Sequence, residues 1–341
     1  MSRRALLRAT LGIAISLVAI FILLRSVDVG AAVEVLRNAN PAWIGVMLVT
    51  VLIDVGARGA RWQALLKPIA VIPYRRVLGY TYIGYLANNV LPARLGELVR
   101  SHALGEGEHL SRTTVLGTVV VERIVDTVIV VGLAALSVVV LSVRGVLSSA
   151  VLLGAAFVAL LVVGLVIGMA LHRLPGAVRV VAFAERWPRV VELARRLREG
   201  LAVAGKPRTL LAALAWSAVA WTASIGTTLA AGQAVGVELT LAQGALLSSG
   251  IALATIVPSG PGYVGTFELT AVSIASTFGV PRDSAFALAL LAHAMILAVT
   301  SVGGVIAALR MGVGFDLGTG SGEPGEPEPG PRPTQEPTSA A

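Results

Sequence analysis

The chain contains no cysteine, which excludes disulfide scaffolds, thiolate catalysis, iron–sulfur clusters and cysteine-ligated zinc. Only four histidines are scattered over 341 residues, so a dedicated metal site is not expected and no cofactor is implied. Charge is scarce too, at 13% of residues, and lysine is nearly missing, with two against 25 arginines, a skew that reads as compositional bias. No nucleophile elbow, phosphate loop, Walker motif or His-Glu-x-x-His helix occurs, so neither an ATPase nor a known hydrolase chemistry is signalled, and the chain is not expected to be an enzyme. What is abundant is apolar. Hydrophobic residues make up 56% before the 37 glycines are added, and the mean hydropathy is +0.83. A soluble domain is nearer 45–50% apolar with glycine included, which excludes one here.

Six or more apolar runs approach the ~20 residues that an α-helix needs to cross a ~30 Å hydrocarbon layer, and none shows the ~10-residue alternation of a β-barrel. The fold class is therefore all-α, a polytopic membrane helix bundle. Arg3, Arg4 and Arg8 precede an apolar segment at 9–24 that resembles a signal peptide, but Arg25 and Asp28 separate it from any small-residue cleavage site, so it reads as an uncleaved first span. Further spans fall at about 42–57, 113–143, 146–171, 209–231 and 284–309. Two shorter apolar pieces break at prolines: 77–91 ends at Pro92, and 241–257 breaks at Pro258 before its return at 264–280. Residues 1–314 form the membrane domain. The Pro/Gly/Glu-rich stretch 315–341 cannot bury enough apolar surface to fold and reads as a disordered tail.

Cytoplasmic loops near span ends retain Lys and Arg. If both short pieces enter and leave on one side, the loops sharing the N-terminus's side hold 21 basic residues and the opposite loops hold four, Arg25, Arg37, Arg144 and Arg282. The count favours six full spans plus two re-entrant hairpins in the cell membrane, with both termini cytoplasmic. The tail carries a net −4 and the body +12, and basic charge here reports orientation and contact with anionic headgroups, so no nucleic-acid partner is expected. The two broken pieces share an order: Leu-Ala, then Pro, Gly and Glu, in 86–97 and in 253–268. Entering from opposite faces, they would form inverted repeats whose interruptions meet at a transport site.

Non-helical backbone at membrane depth survives only inside protein or beside a water-filled cavity. The breaks coincide with Asn88, Asn89, Arg94, Glu97 and Arg100 in the first piece and with Pro261, Gly262, Gly265 and Glu268 in the second, which points to a polar cavity rather than two packed kinks. Within the span 113–143, Glu122 and Asp126 stand at i and i+4 on one helical face, and Arg123 can pair with Asp126. Each lone charge at a helix centre costs ~2.5–3.5 kcal/mol, so this group is either an ion-pair staple or a substrate or ion site. Asp54 has Arg58 at i+4, which reads as a local salt bridge or as a functional carboxylate. His293 stands alone in the final apolar span as a packing histidine or a proton carrier, and Trp216 and Trp221 read as packing or interface anchors. In the loop 172–208, Val190, Leu193, Leu197 and Leu201 share one stripe opposite arginines, an amphipathic helix for the leaflet surface or a solvated linker.

These motifs resemble the flippase-like family that supplies the membrane region of lysylphosphatidylglycerol synthases. The likeness rests on Asn88-Asn89 with Leu91-Pro92, Arg94-x-Gly96-Glu97-x-x-Arg100, Glu122-Arg123-x-x-Asp126, and Pro258-x-x-Pro261-Gly262-x-x-Gly265-x-x-Glu268, and it spans roughly residues 5–310. In the bifunctional synthases a soluble aminoacyltransferase domain follows this region. Here the tail stands in that place, so the resemblance implies the translocating half without the synthetic half. The expected function is translocation of an anionic phospholipid or a polyprenyl-phosphate-linked glycolipid. Arg94 and Arg100 would bind phosphate, while Glu97, Glu268 and the Glu122/Arg123/Asp126 group balance charge, bind an ammonium or sugar, or exchange protons. Two other readings stay open: a membrane-embedded lipid-modifying transferase, and a non-catalytic scaffold for an envelope-biosynthesis enzyme. A homo-oligomer or such an envelope partner is compatible with either.

Overall fold

The computed structural model describes residues 3–91, 95–145, 202–255 and 259–312, with scattered positions from 149 to 160. Among the described residues the chain forms ten α-helices and no strand: α1 (Arg3–Ser26), α2 (Val29–Arg37), α3 (Pro41–Leu66), α4 (Tyr74–Val90), α5 (Gly96–Gly107), α6 (Arg112–Val140), α7 (Pro207–Ala234), α8 (Leu241–Ala254), α9 (Thr266–Ser276) and α10 (Arg282–Met311). Four of these, α3, α6, α7 and α10, are each long and apolar enough to cross a membrane, and α1 with α2 makes a fifth candidate bent by 84°. The polytopic helical bundle is thus present. Apart from those scattered positions, the expected span at 146–171 lies outside the described residues, as do the amphipathic stripe from Val190 to Leu201, Arg94 and the tail from 315.

Helix ends follow local chemistry. Asp28 caps α2 by accepting the Ala31 N–H at 3.1 Å, and its own N–H donates to Asp283 Oδ1 at 2.7 Å, fastening α2 to the start of α10. Asn40 caps α3, with Pro41 at the first helical position. Thr240 and Gln243 form a reciprocal capping box at α8. The end of α10 is closed by Gly312 in the left-handed region.

Helices approach closely where side chains are small, as expected when packing rather than hydrophobic exclusion drives association in lipid. The most extensive pair is α3 with α7, where the Thr50 and Thr227 hydroxyls lie 2.9 Å apart and Gly226 sits against Thr50. Between α4 and α10, Gly303 and Gly304 take the ring of Tyr82 and the side chain of Leu86.

The short segments form two hairpins of opposite sense. At the mouth of the first, Arg76 Nη2 donates to the Gly107 carbonyl at 3.1 Å and the Tyr80 hydroxyl to Glu108 at 3.1 Å; at its tip, the Gly96 N–H donates to Asn88 Oδ1 at 2.8 Å. So α4 enters and α5 leaves at the same end of the bundle. In the second, α8 and α9 pack with Gly250 against Ile274, and Leu246, Leu247, Ala271 and Ala275 share one apolar cluster with Ala134 and Val138 near the far end of α6. This hairpin opens at the other end. The tips meet: the 3-10 turn Pro261–Tyr263 packs on α4, and a methyl built on Gly262 would lie 3.6 Å from the Asn89 carbonyl.

One helix outruns its expected length. The span at 42–57 is continued to Leu66, so Arg58 and Arg61, counted above as loop cations, are drawn into the protein, and Arg100 is buried with them. They can be accommodated because carboxylates of other helices meet them. Removing these three from the count leaves eighteen basic residues against four, and the asymmetry stands.

Candidate functional site

The segment Asp54-x-x-x-Arg58-x-x-Arg61 places three charges on one face of α3, at i, i+4 and i+7. That face meets the Glu122-Arg123-x-x-Asp126 face of α6. Arg61 reaches Asp126 with both terminal nitrogens, Nη2 at 3.0 Å to Oδ2, and Glu122 Oε1 at 3.1 Å. Glu122 Oε1 also accepts from Arg100 of α5 at 2.9 Å and from Arg123 at 2.5 Å. Asp54 holds Arg58 at 2.8 Å, and Arg58 and Arg123 stand 3.7 and 3.6 Å from Asp126. Neutral groups complete the cluster: Trp221 Nε1 donates to Asp126 at 3.2 Å, the Ser217 hydroxyl accepts from Arg61 at 3.0 Å, and Trp62 Nε1 donates to Thr118 at 3.1 Å while its ring faces the Arg100 guanidinium.

Burial divides this network in two. Arg61 and Glu122 have 0% and 1% of their side chains exposed, and form a dry centre in which every charge has a partner. Arg123 is 38% exposed, and its contacts to Glu97 and Asp126, at 4.0 and 3.6 Å, are long for a salt bridge. Two polar atoms in the dry centre, Arg61 Nε and Glu122 Oε2, are buried without a hydrogen-bond partner among the described residues, because Oε1 takes the donors.

The exposed side of the network forms one wall of a cavity of about 500 Å³. Asp54, Arg58, Glu97, Arg123 and Asp126 line that wall, with Tyr85, Asn88 and Asn89 of α4 beside it. Ser224, Ser248, Thr127 and Thr300 add hydroxyls, and Val51, Ile251, Ile296 and Leu297 make the remainder apolar. The opposite wall carries Phe267 and His293. There His293 Nδ1 lies 2.6 Å from Glu268 Oε1, the Phe267 ring stacks on the imidazole at 4.2 Å and 8°, and Glu268 Oε2 accepts the Gly265 N–H at 2.7 Å. Glu268 thereby caps α9 at the break.

The residues singled out from sequence are therefore distributed. Asn88, Asn89, Glu97, Arg123 and Asp126 line the cavity. Arg100 and Glu122 stand behind its wall, and Asn88 and Asn89 also fasten the first hairpin, Asn89 Nδ2 donating to Thr300 and Ser301 at 2.9 Å each. Pro261, Gly262 and Gly265 shape the second break, and Arg94 lies outside the described residues. Trp216 is exposed, whereas Trp221 is buried in the cluster. The sequence reading counted Arg61 as a loop cation and Trp221 as a packing or interface anchor, and it did not name Ser217; none of the three was placed in the charged network. The spacing of Asp54, Arg58 and Arg61 is a usable signal for Arg61; no local pattern announces Trp221, whose partner is 95 residues away. Among the described residues no group of histidine and carboxylate side chains is placed to hold a metal ion.

With this geometry in view, the comparisons with known proteins are specific. The profile of the lysylphosphatidylglycerol synthase transmembrane region matches residues 9–304. The chain is 28% identical to the glycosyltransferase AglD of Haloferax volcanii, over 89% of this chain and 54% of that protein. It is 25% identical to the UPF0104 membrane protein MJ1595 of Methanocaldococcus jannaschii, over 36% of this chain and 37% of that one. The chain thus spans about half the length or less of these curated relatives.

Proposed function

The chain belongs to the lysylphosphatidylglycerol synthase transmembrane-region family, an integral membrane family, and from that premise we propose that it is a translocator for the headgroup of a phospholipid or polyprenyl-phosphate-linked glycolipid. The observation that carries this reading is the meeting of two oppositely directed hairpins at a cavity with one charged wall and one largely apolar remainder. A headgroup would enter there while its chains stay in the bilayer. Arg123 is the phosphate-binding side chain best placed for it: a guanidinium offers a two-pronged donor to phosphate oxygens, and this one is partly exposed, with Nη2 held by Glu122 and Nη1 4.0 Å from Glu97. Arg94 is proposed as the second guanidinium. Arg100 and Arg61 hold Glu122 and Asp126 so that the wall keeps its shape. The bundle end that carries Lys67, Arg75, Arg76, Arg112 and Arg310 would face the cytoplasm, following the positive-inside rule.

Translocation of fluorescent phosphatidylglycerol and of a fluorescent polyprenyl-phosphate sugar in proteoliposomes tests the proposal. Wild-type protein is expected to speed the flip of at least one above protein-free vesicles, and Arg123→Gln to slow it about tenfold or more, the loss of a charge-assisted hydrogen bond to phosphate. Equal rates with wild type, with the variant and without protein contradict it. The name of the Haloferax relative favours a second reading, glycosyl transfer to a lipid acceptor. A changed lipid product after incubation with polyprenyl phosphate and nucleotide sugars would place that reading first.

A further inference from the structure

The charged wall of the cavity is internally balanced. Four guanidiniums, Arg58, Arg61, Arg100 and Arg123, meet four carboxylates, Asp54, Glu97, Glu122 and Asp126. Glu268, buried behind His293 of the opposite wall, is outside that balance, and the cation that can offset it among the described residues is a protonated His293, 2.6 Å away. Among the described residues, the net charge around the cavity therefore turns on one proton.

We propose that His293 on the cavity wall and Glu268 behind it form a proton-binding site, and that proton binding there is coupled to binding of an anionic headgroup. The proposal rests on the headgroup-path reading above and adds its regulation. The geometry assigns the atoms. Glu268 Oε1 is an acceptor, so Nδ1 carries the hydrogen of the neutral ring and donates to it. Nε2 is then the nitrogen that takes a proton from the cavity, giving an imidazolium that faces the Glu268 carboxylate on one edge and the Phe267 ring on its face. Glu268 is held for this task by the Gly265 N–H on its other oxygen. Around the cavity, the ionisable groups on neighbouring elements are Asp54 and Arg58 of α3, Tyr85 of α4, Glu97 of α5, Arg123 and Asp126 of α6, and Tyr263 of the 3-10 turn. The α7 contributions, Trp221 and Ser224, do not titrate, and Glu34 and Arg37 of α2 are exposed at the surface. An anion in this space makes the cavity more negative and favours the protonated ring, and by linkage the protonated ring favours the anion to the same extent. Binding of the anion should strengthen as pH falls.

The test uses full-length protein in detergent micelles and calorimetry of dihexanoyl-phosphatidylglycerol binding in two buffers of different ionisation enthalpy, which counts protons exchanged. Wild-type protein is expected to take up a proton, about one or less per chain, with this anionic lipid and none with dihexanoyl-phosphatidylcholine. Uptake should vanish in His293→Gln, which retains a donor toward Glu268, and in Glu268→Gln, where the ring loses its carboxylate. The variant that keeps the wild-type melting temperature carries the comparison. Undiminished uptake in a folded variant, or no uptake in wild type, overturns the proposal. Proton uptake without lipid movement in proteoliposomes would refute translocation while leaving this site in place.

Discussion

At Glu122 three guanidiniums converge on one carboxylate oxygen in a region without exposure to solvent, and at Arg123, one residue along, the side chain turns outward to the cavity. Neighbouring residues of one motif are thus placed differently, Glu122 inside a buried ion network and Arg123 at the cavity. Their substitutions should separate accordingly. Glu122→Gln leaves Arg61 and Arg100 buried with Asp126 as the remaining close carboxylate, and breaking a buried ion network in this way costs about 3–5 kcal/mol. The expected outcome is a large fall in melting temperature in detergent, with little monodisperse protein recovered. Glu106→Gln is the control: Glu106 pairs with Arg112 in the open, where that hydrogen bond draws its carboxyl below the usual range, and the melting temperature should not change measurably. A Glu122→Gln protein as stable as wild type would show that the dry centre is not a staple. The motif was legible because charge inside an apolar run is conspicuous. Arg61 was not, because a cation near a presumed helix end looks like a loop cation until the partner helix is in place.

Among the elements, the two interrupted hairpins depend on backbone that only glycine adopts easily. Gly265 has φ +85° and ψ −47°, and a methyl there would come within 2.9 Å of the Ser16 carbonyl of α1, which cannot swing away. Gly262 has φ +64°, but its nearest neighbour would be the flexible Leu297 side chain at 3.4 Å. Gly265→Ala is therefore expected to destabilise by about 1–3 kcal/mol, more than Gly262→Ala. Thermal unfolding monitored by tryptophan fluorescence checks the order, and an equal or smaller effect at Gly265 would contradict the account of this break. Spans and breaks were readable from the sequence, since proline, glycine and apolar runs act locally. The helix ends shifted by a few residues, and most at α3, where Asp54, Arg58 and Arg61 kept a helical face that partners on α5 and α6 complete.

At the scale of the molecule, basic residues gather at the end where α4 enters and α5 leaves, and the second hairpin opens at the other end, so the cavity lies between two chain reversals rather than at a surface. The opposed sense of the hairpins was foreshadowed by the shared Leu-Ala, Pro, Gly, Glu order, whereas the joining of their tips through Asn89 and Gly262 needed the fold, because those residues are far apart in the chain. The claim on which the functional reading turns is that this interior space holds water and a polar headgroup at membrane depth. The natural absence of cysteine allows a direct measurement: single cysteines placed at Thr127 and Ser224 in the cavity, and at Val139 and Leu211, exposed on the outside of apolar helices, are treated with a charged thiosulfonate in intact proteoliposomes. The cavity positions are expected to react, and to be shielded by added anionic lipid, while the outer positions stay inert. Cavity cysteines as unreactive as the outer ones would contradict the account.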